Sequence, residues 1–205
     1  MKKAILLCCH GTKSKQGKED TNKLLKIFKK KKYNTKIGYL EILKPTISDQ
    51  LKNFFDEGFE YILIIPAMIF SGNHTTKDIP LCVKKVSKKY KKIPKININY
   101  PLIKSKNFIK YIQTRIKNEL SKFDKKSTVL ISIMSNTINP NAKKEIKLIT
   151  KKIAIRNDLR YYKNIFLSLN KENLKKKLIN LDFKYKKCLI IPFLLFRGRL
   201  LDNLY

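Results

Sequence analysis

Histidine is nearly missing from this sequence: its 205 residues contain two, His10 and His74. Acidic side chains are also scarce, 15 against 47 basic ones, and only five of the basic residues are arginines, Arg115, Arg156, Arg160, Arg197 and Arg199. The resulting formal charge of +32 invites a nucleic-acid or anionic-membrane partner, because a positive field attracts polyanions. The shortage of Arg argues against nucleic acid, whose recognition favours the bidentate guanidinium fork, and no groove-reading element is recognisable. Lysine is instead spread over nearly every segment together with Ile and Asn, as a coding bias would spread it. A generic solvated lysine face accounts for such a spread, and a third use of the field is to draw in a polyanionic small molecule. The four cysteines, Cys8, Cys9, Cys82 and Cys188, form no CxxC pair. That speaks against a disulfide framework or a structural zinc site and fits a reducing cytoplasm. No run approaches the roughly 18 apolar residues of a membrane span. The apolar stretch after Met1-Lys2-Lys3 stops at Cys9, too short for a cleaved secretory leader.

Short apolar runs alternate with amphipathic, Lys-rich stretches of helical length, the pattern of βαβ units and a parallel sheet. The runs predict strands near 4–9, 36–41, 61–66, 96–100, 128–134, 164–169 and 188–193, with helices near 17–31, 46–57, 79–91, 105–122, 140–155 and 171–180. Pro45 and Thr46 mark the start of the second helix, and Gly58 marks its end. Leu24, Leu25 and Phe28, and likewise Leu51, Phe54 and Phe55, recur at helical spacing and read as core.

The two halves repeat one another. Residues 4–12 match 128–136 at an offset of 124, residues 64–72 match 190–198 at 126, and residues 39–43 match 166–170 at 127. Two copies of one α/β unit follow, over 1–124 and 125–205, the second expected to be shortened. In an open parallel sheet the carboxyl ends of the strands line the ligand crevice. Those ends carry His10, Glu41 and His74 in the first copy, and Met134, Ser168 and Leu200 in the second. The first set suits a divalent transition metal and the second does not. Glu41 has an alternative use, capping the start of the helix that follows it. Arg197 and Arg199 occupy the equivalent loop of the second copy and are suited to pairing with carboxylates.

The segments Leu6-Leu7-Cys8-Cys9-His10-Gly11-Thr12, Tyr39-Leu40-Glu41-Ile42-Leu43-Lys44-Pro45-Thr46-Ile47 and Ile64 through Pro80, with its Ser71-Gly72-Asn73-His74 loop and Lys77-Asp78-Ile79-Pro80, resemble the sirohydrochlorin chelatases. These are class II tetrapyrrole chelatases, and the likeness is to their two-domain form. The resemblance implies tandem flavodoxin-like units and insertion of Co²⁺ or Fe²⁺ into sirohydrochlorin, for cobalamin or sirohaem synthesis, with no organic cofactor. It implies His10 and His74 as metal ligands and catalytic groups, with Glu41 as an acceptor for protons or a weak carboxylate ligand. Thr12, Ser71, Gly72, Asn73, Thr75 and Lys77 would meet the eight carboxylates of the substrate. Cys8-Cys9 and Thr12 depart from the family's usual residues, and a thiol there offers a soft-metal ligand. A second reading is a non-catalytic tetrapyrrole- or metal-binding protein on the same scaffold, which a shortened second copy favours. Iron against cobalt, and a homodimer against a monomer, stay open at this point.

Overall fold

The computed structural model describes residues 1–167 and 187–202. They divide into two compact units, Met1–Leu102 with Leu195–Gly198, and Ile103–Leu194 with Arg199–Tyr205. The division falls at 102–103 and not at 124–125, because helix α4 (Lys106–Leu120) goes with the second unit.

In the first unit, strands β1 (Lys3–Cys9), β2 (Thr35–Tyr39), β3 (Tyr61–Pro66) and β4 (Lys95–Ile98) form one parallel sheet in the order β2-β1-β3-β4. Central strand β1 is apolar at every position from Ala4 to Cys9 because both of its faces are covered. Ala4, Leu6 and Cys8 pack on one side against helices α2 (Ile47–Asp56) and α3 (Ile79–Ser87), through Leu51, Phe54, Phe55, Ile79 and Val86. Leu7 and Cys9 pack on the other, against Leu24, Leu25 and Phe28 of helix α1 (Lys15–Lys30). The chain therefore leaves β1 toward one face and β3 toward the other. That reversal opens a crevice at the carboxyl ends of these two adjacent strands.

Thr46 caps α2: its hydroxyl accepts from the Asp49 N–H at 3.1 Å while the Asp49 carboxylate accepts from the Thr46 N–H at 2.9 Å. Such a reciprocal cap satisfies two otherwise orphaned donors. Gly58, at φ +70°, ends the helix as expected. Glu41 is thus not the cap.

The segment Leu195–Gly198 closes the α1 side of this unit. Phe196 packs against the same buried cluster as Leu24, Leu25 and Phe28. Arg197 donates from its backbone N and Nε to Asp20 Oδ2, at 3.1 and 2.9 Å, and from Nη2 to Oδ1 at 2.6 Å. The pairing foreseen for Arg197 is present, and it draws the Asp20 carboxyl down from 3.8 to about 2. A depressed folded value adds stability that is fully present above about pH 4 and disappears as the pH falls through about 2. Solvent around Arg197 keeps the effect modest. Asp20→Asn should lower the urea midpoint at pH 7, and the gap from the parent protein should close toward pH 2. A gap that does not vary with pH would leave the pair without a stabilising role.

The second unit carries β5 (Thr128–Ser135), β6 (Tyr161–Leu167) and β7 (Lys187–Pro192), parallel in the order β6-β5-β7, with helix α5 (Pro140–Arg156). The repeat is real, but one offset is corrected by the pairing. Cys8 pairs with Gly38 and Pro66, while Ile133 pairs with Ile165 and Pro192. Ala67 N–H donates to the Cys8 carbonyl, and Phe193 N–H to the Ile133 carbonyl. Cys8 therefore corresponds to Ile133, an offset of 125, and the counterpart of His10 is exposed Ser135 in place of buried Met134. The loops agree with this register: Ser14 N–H donates to Thr12 Oγ1, and Asn139 N–H to Thr137 Oγ1, each at 3.1 Å. Leu200 packs with Val129, Ile131 and Ile133. Ser168 and the helix expected near 171–180 lie outside the described residues. No described helix is long and apolar enough to cross a membrane.

Candidate metal centre

The crevice at the ends of β1 and β3 holds both histidines. Three local features bring them together with Glu41. Backbone hydrogen bonds from Leu40 N–H to the Cys9 carbonyl (2.9 Å) and from Glu41 N–H to the His10 carbonyl (3.0 Å) carry the β1–β2 pairing past the strand ends. Gly11, at φ +99°, lets the Glu41 carbonyl come so near that a Cβ there would stand 2.0 Å from its oxygen. After β3, a single wide helical turn over His74–Asp78 lifts His74 toward the same point.

The result is a three-donor cluster. One ligand atom each from His10, Glu41 and His74 lies within 4.8 Å of the others, and the two imidazole rings meet edge to face at 4.8 Å between centroids. His10 Nε2 is 4.0 Å from Glu41 Oε2, and His74 Nε2 is 4.0 Å from Glu41 Oε1. These separations are too long for direct hydrogen bonds. Imidazole and carboxylate donors gathered this closely are of the types that bind a divalent transition metal.

Tautomers follow from the partners. His74 Nδ1 lies 2.7 Å from Asp78 Oδ2, and His10 Nδ1 lies 3.2 Å from the Gly11 carbonyl. A carboxylate and a carbonyl accept, so each Nδ1 carries a proton, and in the neutral ring Nε2 is the nitrogen with a lone pair for a metal. Asp78 is the residue that sequence reasoning passed over, although it stood in the quoted Lys77-Asp78 motif four positions after His74. A carboxylate behind a ligating imidazole fixes its orientation and raises its basicity. Asp78→Ala should weaken Co²⁺ binding roughly 10–100-fold in a titration with the metal alone, and unchanged affinity would remove Asp78 from the site.

The other expected residues fare differently. Thr75 is buried and its hydroxyl donates to the Gly72 carbonyl at 2.9 Å, beside Thr76 Oγ1 at 3.0 Å on the same oxygen. Thr75 therefore helps to hold the loop. Thr12 Oγ1 accepts from the Ser14 N–H. Ser71, Gly72 and Asn73 are half-buried on the loop before His74, and Lys77 is exposed. Cys8 and Cys9 are fully buried, and burial pushes both thiols up, Cys9 to about 12. They stay protonated and outside the donor set, so they offer no soft-metal ligand.

Comparison with known proteins agrees with this architecture. The sirohydrochlorin ferrochelatase of Priestia megaterium is 23% identical over 206 residues, covering 98% of this chain and 76% of that protein. The sirohydrochlorin cobaltochelatase of Methanococcus aeolicus is 35% identical over 79 residues, 38% of this chain and 55% of that one. Among solved structures, the sirohydrochlorin chelatase SirB from Bacillus subtilis subspecies spizizenii in complex with cobalt superposes with a TM-score of 0.77, at 22% identity over 100% of this chain and 80% of that one. At that identity the likeness bears on the fold. The CbiX family model matches residues 4–119, more than half of the chain and the whole of the segment that supplies His10, Glu41, His74 and Asp78. The chain belongs to the CbiX family.

Proposed function

We propose that the protein is a sirohydrochlorin chelatase that exchanges the two pyrrole N–H protons of the macrocycle for one Co²⁺ or Fe²⁺, releasing two H⁺. The observation that carries this reading is the convergence of one donor atom each from two imidazoles and a carboxylate within 4.8 Å at a sheet switch point. The similarity to chelatases acting on sirohydrochlorin supports the substrate, and the net charge of +32 supports attraction of a polyanion.

In this reading the metal is a substrate. His10 and His74 hold it through neutral imidazoles, and Glu41 lies 4.0 Å from both, where one carboxylate oxygen completes the donor set and the other takes up the displaced pyrrole protons one after the other, passing each to solvent. Three donors capture the ion without the fourth protein ligand that closes structural sites, so the macrocycle can take it over. Imidazole and carboxylate donors accept iron and cobalt alike, and the reaction serves sirohaem or cobalamin synthesis accordingly. Ser71, Gly72, Asn73 and Thr12 border the site and face the carboxylate periphery of the substrate. Four free cysteines support a reducing, cytoplasmic setting.

The test is an anaerobic absorbance time course of excess sirohydrochlorin with Co²⁺ or Fe²⁺ and a small amount of protein. Catalysis converts many equivalents of macrocycle per protein. A spectral change that saturates at one equivalent would instead establish the carrier reading and end this one.

A further inference from the structure

Ile42, next to Glu41, is unusual in two respects. It is a β-branched residue at φ +68°, in the left-handed region that such side chains avoid most strongly. It is also apolar and 56% exposed. The Leu43 N–H donates to the Glu41 carbonyl at 2.7 Å, closing a three-residue γ-turn with Ile42 at its apex, a conformation that is rare and strained. The turn is anchored to the site, because Glu41 N–H is bonded to the His10 carbonyl. Ile42 Cβ lies 3.8 Å from the position a Gly11 side chain would take, so the residue stands on the rim shared by His10 and Glu41.

Packing does not account for this residue, since more than half of its surface is open to water. Nor does backbone preference, since Gly or Asn fits a positive φ better. An observed backbone outlier at the edge of a site is grounds for a functional assignment, and exposed apolar surface is grounds for a ligand that covers it. The three converging side chains are polar, whereas the two faces of a tetrapyrrole are apolar and its carboxylates lie at the periphery. We infer that Ile42 is a substrate-contacting residue: the γ-turn presents its side chain to the face of the macrocycle, setting the ring over the His10–Glu41–His74 cluster. This inference rests on the chelatase reading above.

Steady-state kinetics with Ile42→Asn and Ile42→Leu test it. Asn lacks the β-branch that conflicts most with a positive φ, so Tm should not fall. The KM for sirohydrochlorin should rise on the order of 10-fold in Ile42→Asn, as loss of a partly buried aliphatic contact implies. The KM for Co²⁺ should stay constant and kcat should stay within about twofold. Ile42→Leu keeps the apolar contact and should restore the parent KM. An unchanged sirohydrochlorin KM in Ile42→Asn, or equal rises in both KM values, overturns the inference while leaving an active parent enzyme a chelatase. A parent protein without turnover overturns the chelatase reading and this inference with it.

Discussion

Replacing His10 or His74 by Ala should each lower kcat/KM for metal insertion by about 100-fold or more, with little change in Tm. Each variant leaves one imidazole and one carboxylate, too few donors to capture a divalent ion from water. Loss of a partner one shell further out costs about 10–100-fold in metal proteins, so loss of a direct ligand should cost at least as much, about 2.7 kcal/mol of transition-state stabilisation. Folding should survive because the rings contribute little to the core: the His10 side chain is 51% exposed and that of His74 32%. His74→Ala also removes the hydrogen bond to Asp78, which leaves an aspartate already 43% exposed to water and costs little. Circular dichroism and Tm beside the insertion assay decide the matter. Full activity in either variant would remove that histidine from the metal path, and loss of fold in both would recast the pair as structural.

Gly11→Ala should be strongly destabilising. Its φ of +99° disfavours any L side chain, and the added Cβ would fall 2.0 Å from the Glu41 carbonyl oxygen and 3.1 Å from the carbonyl carbon. Backbone cannot rotate away as a flexible side chain would, so the β1 and β2 loop ends must part. Overpacking of this kind costs roughly 2–4 kcal/mol, which for a chain of this length lowers Tm on the order of 5–15 °C. Separation of the loops also carries Glu41 away from His10, so metal affinity should fall together with stability. Gly72→Ala is the matched control: nothing lies within 4 Å of its would-be Cβ, and its Tm should move by no more than surface substitutions do, about 0.5 kcal/mol in stability. Equal Tm values for the two variants would count against the close approach at Gly11.

The main lines of the site were legible because strand positions and strand ends are written in coarse patterns. Apolar runs 4–9 and 61–66 match β1 and β3 closely, and residues just beyond them in a parallel sheet must share an edge, so two histidines placed there converge. Register within the second copy was not legible. Residues 128–134 read Thr-Val-Leu-Ile-Ser-Ile-Met and are buried throughout, because both faces of β5 are covered. Such a strand has no polar alternation to fix which residue points where, and a slip of one position exchanged Met134 for Ser135. Asp78 escaped for a related reason. Its role depends on the wide turn at His74–Asp78, whose i→i+5 bonding rotates successive side chains differently from an ordinary helix. Ile42 escaped because a positive φ at a β-branched residue is the opposite of what local preference suggests.

The return of Leu195–Gly198 to the first unit makes that unit discontinuous in sequence. A gene fragment ending anywhere between residues 103 and 194 would encode all four of its strands yet omit Phe196 and Arg197. The apolar cluster shared with α1 would then lack the Phe196 ring, and Asp20 would have no guanidinium. Excision of the metal-binding half as a free-standing module should therefore yield a sticky, poorly soluble product unless the missing tetrapeptide is supplied by circular permutation or a short grafted linker.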